Sequence, residues 1–187
     1  MWASKFFTEV YSIEASKFLY DEYHDKLSKE NITHIFGDSR RIIQSLIESS
    51  RPYRLIWLDA HWIGDRVSYE EGDEIPVIEE LRAIPKKTRN NFIMIDDARY
   101  FLSPNIPSPH NFRKWPNIGE IITILREIQE TESVFISDDV LISPPRDMED
   151  ITREVLHDLY GKNYEKKISV IIKDCDRLLH DLLSQIS

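Results

Sequence analysis

Short apolar runs alternating with helix-patterned stretches constrain this chain more than any other feature. EVYSI at 9–13, ITHIF at 32–36, and the runs at 53–58 and 92–96 have strand length and β-prone composition. Between them, residues 16–29 carry Phe18, Leu19, Tyr23 and Leu27 at near-helical spacing. Asp38 or Ser39 can cap a second helix through Ile42, Ile43, Leu46 and Ile47, and further helices are predicted at 75–84 and 117–130. Strands separated by helices pair in parallel, because a parallel crossover needs about a dozen residues or more. The last two runs, 133–137 and 139–142, leave no room for a crossover and predict an antiparallel hairpin at one sheet edge. The expected fold is α/β, with one mostly parallel sheet. Residues 63–74 are polar and predict a loop, and four prolines make 102–116 irregular. From about 147 the pattern turns helical, with a break near Gly161, so 1–146 reads as the α/β domain and 147–187 as a helical extension.

Two of the strands break into carboxylates at their C-terminal ends. LIWLDAHW at 55–62 ends in Asp59 with His61 beside it, and FIMIDDAR at 92–99 ends in Asp96 and Asp97. In open α/β sheets, ligands bind outside the carboxyl ends of the strands. Neighbouring strands lie about 5 Å apart, so carboxylates at adjacent ends would converge and repel. A hard divalent cation, magnesium or calcium, relieves that repulsion. The alternative is structural: Asp96 or Asp97 caps a turn, and Asp59 pairs with Arg82 or Arg99. His61 could be a general base, a metal ligand or a loop histidine satisfied by its neighbours. Glu14, at the end of VYSIE, could hold a ribose or serve the start of the helix that follows. Asp38 and Ser39 could contact an adenine edge, although both residue types are preferred helix caps. Trp57, Trp62 and Trp115 could wall a pocket, with packing the simpler role for Trp57 in mid-strand.

The bulk numbers narrow the partners. Lys plus Arg is 24 and Asp plus Glu is 33, a net charge of -9, which argues against a broad nucleic-acid surface. PKKTR at 85–89 is a local basic cluster, read as a solvated loop. The single cysteine, Cys175, cannot form an internal disulfide and fits a reducing compartment. No apolar run approaches the roughly 20 residues of a membrane helix. A cytoplasmic protein with a small-molecule partner, and with neither membrane nor nucleic acid, is therefore expected. Val155, Leu159, Leu178, Leu179, Leu182 and Leu183 of the tail could dock on the domain or on a second copy in a homo-oligomer.

VYSIEAS, FGDS, LIWLDAHW, IPVIEELRAI, FIMIDDARYF and WPNIGEI, in this order, resemble a class I S-adenosylmethionine-dependent methyltransferase. The resemblance is closest to the macrocin O-methyltransferase-like group and covers about residues 9 to 142. It implies a Rossmann-like sheet and O-methyl transfer to a small hydroxylated or sugar-like acceptor. By that resemblance, Glu14 would hold the cofactor ribose, Asp38 and Ser39 would meet its adenine, and Asp59 would stand beside its methionine part. Asp59, Asp96 and Asp97 would be magnesium ligands, with His61 as the catalytic base. One departure is plain. The first strand and the glycine-rich turn of such enzymes have no counterpart here, and the first glycine is Gly37. The absent strand would lie centrally, between the strands ending in Glu14 and Asp59. A non-catalytic remnant of the fold, acting in interaction or regulation, is the alternative. A metal-dependent hydrolase is a third reading, weakened by the dispersal of the other histidines along the chain.

Overall fold

The computed structural model describes residues 3–27, 31–47, 54–61, 74–86, 90–102 and 111–159. The chain divides into two compact units, Met1–Arg146 and Asp147–Ser187. The first is an α/β body. Its strands are β1 (Val10–Glu14), β2 (Ile32–Phe36), β3 (Arg54–Leu58), β4 (Asn91–Ile95), β5 (Phe135–Ser137) and β6 (Val140–Ser143). Its helices are α1 (Lys17–Leu27), α2 (Ser39–Ile47), α3 (Val77–Ala83), α4 (Ala98–Leu102) and α5 (Ile118–Gln129). Of the second unit, residues 149–159 are helical, with Ile151, Val155 and Leu159 exposed along it. Leu178, Leu179, Leu182 and Leu183 lie outside the described residues, as do the 63–73 part of the expected polar loop and the break near Gly161.

The expectation of one mostly parallel sheet needs correction. Among the described residues there are two sheets, β1-β2 and β3-β4-β6-β5. The β1/β2 and β3/β4 ladders are parallel, whereas β4/β6 and β5/β6 are antiparallel. Among the described residues no strand bridges β1 and β3. The reason is local to neither strand: each has one hydrogen-bonded neighbour, and nothing described pairs with the other edge. The hairpin forms as expected. Its two turn residues, Asp138 and Asp139, have φ of 45° and 72°, the paired positive values of a tight turn that follows strand twist.

The core sits around the four-stranded sheet. In β4, Ile93 and Ile95 are buried, and α5 lays Ile121, Leu125 and Ile128 against the same cluster at i, i+4 and i+7. The Asn117 side chain accepts the Glu120 N–H at 3.1 Å and starts α5 one residue inside the predicted boundary. At its far end, Gln129 is fully buried and donates to the Ser143 carbonyl (2.8 Å) and hydroxyl (3.0 Å) of β6. Helix α2 contributes Ile43 and Ile47 to this core, and Ile13 of β1 packs on it half-buried. The smaller sheet is thus tied to the larger by side chains.

Helix α4 has no clear periodic signal, and its start is built by distant residues. The Ala98 N–H donates to the Asp139 carbonyl and the Arg99 N–H to the Asp139 carboxylate, both at 2.8 Å. The hairpin turn therefore caps a helix 40 residues earlier in the chain.

Candidate functional site

The ladder of β3 and β4 brings the acidic endings together. Leu58 stands opposite Ile95, and the Asp96 N–H donates to the Leu58 carbonyl at 3.0 Å. Asp59 and the Asp96–Asp97 pair therefore leave adjacent strands at one level. A small cleft of about 10 Å³ opens there, with Asp59, His61, Asp96 and Asp97 on its polar side and Phe101 and Trp115 on its apolar side.

Asp59, His61 and Asp97 each offer a ligand atom, and these atoms lie within 4.8 Å of one another. His61 Nδ1 is 3.7 Å from a carboxylate oxygen of Asp59 and 3.7 Å from one of Asp97. It also lies 3.3 Å from the Asp59 carbonyl oxygen. Donors about 2.0–2.6 Å from one ion lie no more than about 5 Å apart, so this spacing fits a single cation. The set differs from the expected trio. His61 joins Asp59 and Asp97 in it, and one oxygen of Asp96, at the edge of the same cleft, accepts the Asp97 N–H at 2.8 Å. One imidazole with two carboxylates suits manganese or zinc better than the all-oxygen shell magnesium prefers.

The electrostatics of the corner are those of crowded anions. Burial pushes the Asp59 carboxyl above its ordinary range; Asp96 and Asp97 push the same way, and His61 opposes them. Asp97 adopts φ 59°, a conformation that side chains other than those of Asn and Asp rarely take. Its second oxygen receives Arg99 at 2.7 Å, and Arg99 also pairs with Asp139. Asp97 thus presents one oxygen to His61 while a guanidinium fixes the other. Arg99 pairs with Asp97 rather than Asp59, and Arg82 lies 4.0 Å from Glu120.

Trp115 is buried beside the site, with its ring 6.2 Å from that of His61. Its indole N–H donates to Glu74 at 3.1 Å, and Glu74 also accepts the Asn111 N–H. Trp57 is 46% exposed on β3, so the packing role expected of it is at most partial. Trp62 lies outside the described residues.

The expected cofactor contacts are distributed differently. Glu14 ends β1 and accepts the Ser16 N–H at 2.7 Å, beside the start of α1. Asp38 is the N-cap of α2: its Oδ1 accepts the Arg40 N–H at 2.9 Å, and both its oxygens receive the Arg40 side chain. That hydrogen bonding holds the Asp38 carboxyl below its usual range. Gly37 makes the turn possible. Its φ is 150°, and a Cβ there would meet Ile42 at 2.8 Å. The Ser39 hydroxyl is bonded to Glu80 of α3.

Asp139, Glu74 and Glu80 belong to this region and were not singled out from sequence. Only Glu80 left a signal, since it falls in the buried i, i+3, i+4, i+7 series Val77, Glu80, Leu81, Ile84. Neither a family model nor a curated protein matches this chain. Among the described residues, no helix is long and apolar enough to cross a membrane.

Proposed function

We propose that this chain is a Rossmann-like, methyltransferase-related protein whose strand-end corner holds a divalent cation and a small hydroxylated or sugar-like molecule, with O-methyl transfer from S-adenosylmethionine as the reaction class. The observation that carries the reading is the convergence of Asp59, His61 and Asp97 from adjacent parallel strands. The break between the two sheets supports it as well, because it falls where the resemblance leaves out a central strand.

A bound cation would lower the pKa of an acceptor hydroxyl and orient its oxygens. The residues supply the rest. Asp59 and Asp97 give two anionic ligands, and His61 gives a nitrogen whose Nδ1 faces both carboxylates. This orientation favours a ligand role for His61 over the general base. Arg99 fixes the second oxygen of Asp97, and Trp115 and Phe101 offer an apolar wall for carbon atoms.

The cofactor half fits less well. Asp38 and Ser39 spend their polar groups on Arg40 and Glu80. The cleft, at about 10 Å³, has room for about one water and is far below the roughly 300–1,000 Å³ of sites that enclose a small molecule. The described residues do not form a cradle for S-adenosylmethionine. This favours a second reading, a non-catalytic module of the same fold that binds cation and ligand without transferring a methyl group.

Calorimetry separates the two. Mn²⁺ is expected to bind the wild type and to bind Asp97→Asn at least about tenfold more weakly. Binding of S-adenosylmethionine or its demethylated product then selects the transferase, and silence at millimolar concentration selects the module. A wild-type chain that ignores Mn²⁺, Zn²⁺ and Mg²⁺ alike rejects both.

A further inference from the structure

Helix α1 has no buried residue and contributes none to the hydrophobic core. It meets the smaller sheet through rings. Tyr20 and His24, one turn apart and both half-buried, lie against β2. The Tyr20 ring stacks on His34 at 4.5 Å and reaches Phe36 at 5.5 Å. The His24 ring stacks on His34 at 5.7 Å, with 22° between the planes, and lies 4.9 Å from Tyr20. An aliphatic contact would be indifferent to pH, whereas this one contains two imidazoles.

We propose that the His24–His34 stack is an acid-sensitive catch, whose protonation loosens α1 from β1 and β2 while the four-stranded sheet stays folded. An imidazolium donates from both ring nitrogens. His34 Nδ1 is closed off from solvent and has no hydrogen-bond partner among the described residues, so its proton would face no acceptor. The surroundings do little to relieve that cost. From α1, His24 brings a second titratable ring, and the Lys17 ammonium lies 5.6 Å from the Tyr20 ring and 5.8 Å from that of Phe36. From β1, the carboxylate that acts on His34 is Glu14. Burial first and His24 second hold the His34 imidazole below its ordinary range, and Glu14 opposes them less strongly. The closed helix therefore takes up that proton less readily than the open one. Closure is fully favoured above pH 6.5 and weakens as pH falls below it. Release would uncover the face of β2 that carries His34 and Phe36.

Hydrogen–deuterium exchange of the full chain at pH 7.5 and 5.5, corrected for intrinsic exchange, tests the catch. Protection of the α1 amides is expected to fall about threefold to tenfold at the lower pH, tenfold being the ceiling for one imidazole that titrates near 6.5 only when open. Helix α5 is expected to lose no protection, because Glu80 favours the folded core at the lower pH. His34→Phe keeps a ring to stack on Tyr20 without the titration, and is expected to hold α1 equally at both pH values. The wild-type His34 Cε1–H resonance gives a reading that needs no folded variant, with a midpoint expected below 6.5. A midpoint at or above 6.5 overturns the proposal, as does unchanged α1 protection in the wild type. A fall that persists undiminished in His34→Phe also overturns it. So does a parallel loss in α1 and α5, since acid would then be opening the whole body.

Discussion

Glu80 makes the stability of this protein depend on pH in a way that can be read from one substitution. A glutamate ordinarily titrates at 4.5, and in the folded chain burial raises Glu80 to about 7. Between those values the folded state keeps a proton that the unfolded state has lost. The stabilising contribution is therefore complete below pH 4.5 and is lost as pH rises through 7. Each pH unit separating the two titrations is worth about 1.4 kcal/mol, so the loss amounts to about 3 kcal/mol. Glu80→Gln removes the titration while keeping the size of the side chain and an acceptor for Ser39. Urea unfolding of both proteins from pH 4.5 to 8.5 tests it, with the difference between the two curves as the readout. Asp59, whose pKa is also raised, contributes in the same direction to both proteins and cancels. The wild type is expected to lose about 3 kcal/mol relative to the variant across that range. A fixed cost from burying the amide would displace the difference curve without tilting it. A flat difference would refute the reasoning, because it would mean that Glu80 titrates alike in the folded and unfolded chains.

Two further substitutions test the framework. Gln129→Ala removes the donor to both the Ser143 carbonyl and hydroxyl in a fully buried setting, and is expected to cost about 2–4 kcal/mol in denaturant unfolding. Asp139→Ala removes the cap of α4 and puts a poorly suited residue at φ 72°, for an expected loss of about 2 kcal/mol, whereas Asp139→Asn keeps turn and acceptor and stays within about 1 kcal/mol in the same assay.

Much of the framework could be read along the chain, because it is written in local periodicity. ITHIF folds as the strand expected of it, α5 forms within the expected 117–130, and the closing runs pair as a hairpin. The meeting of Asp59 with Asp97 was legible as well, since both acids follow apolar runs that pair in parallel. What escaped depends on partners far away in sequence. Helix α4 is a single turn and a half whose first amides are satisfied by Asp139. Glu74 is defined by Trp115 and Asn111, about 40 residues on. That His61 comes within reach of Asp59 and Asp97, while one oxygen of Asp96 accepts the Asp97 N–H, is a matter of side-chain rotamers that spacing cannot reveal. Glu80 was there to be found, since an acid at an apolar position of α3 stands out once the helical face is drawn.

The gap between the sheets has a mechanical consequence. Backbone ladders carry cooperativity from strand to strand, and among the described residues that continuity stops at a seam crossed by side chains: α2 against α3, Ser39 on Glu80, Ile13 on the core. The leaf bearing Glu14 can therefore detach at a lower free energy than unfolding the whole body. The span from Glu14 to Asp59 is set by how tightly that seam is closed, and a molecule touching both ends would act as its clasp.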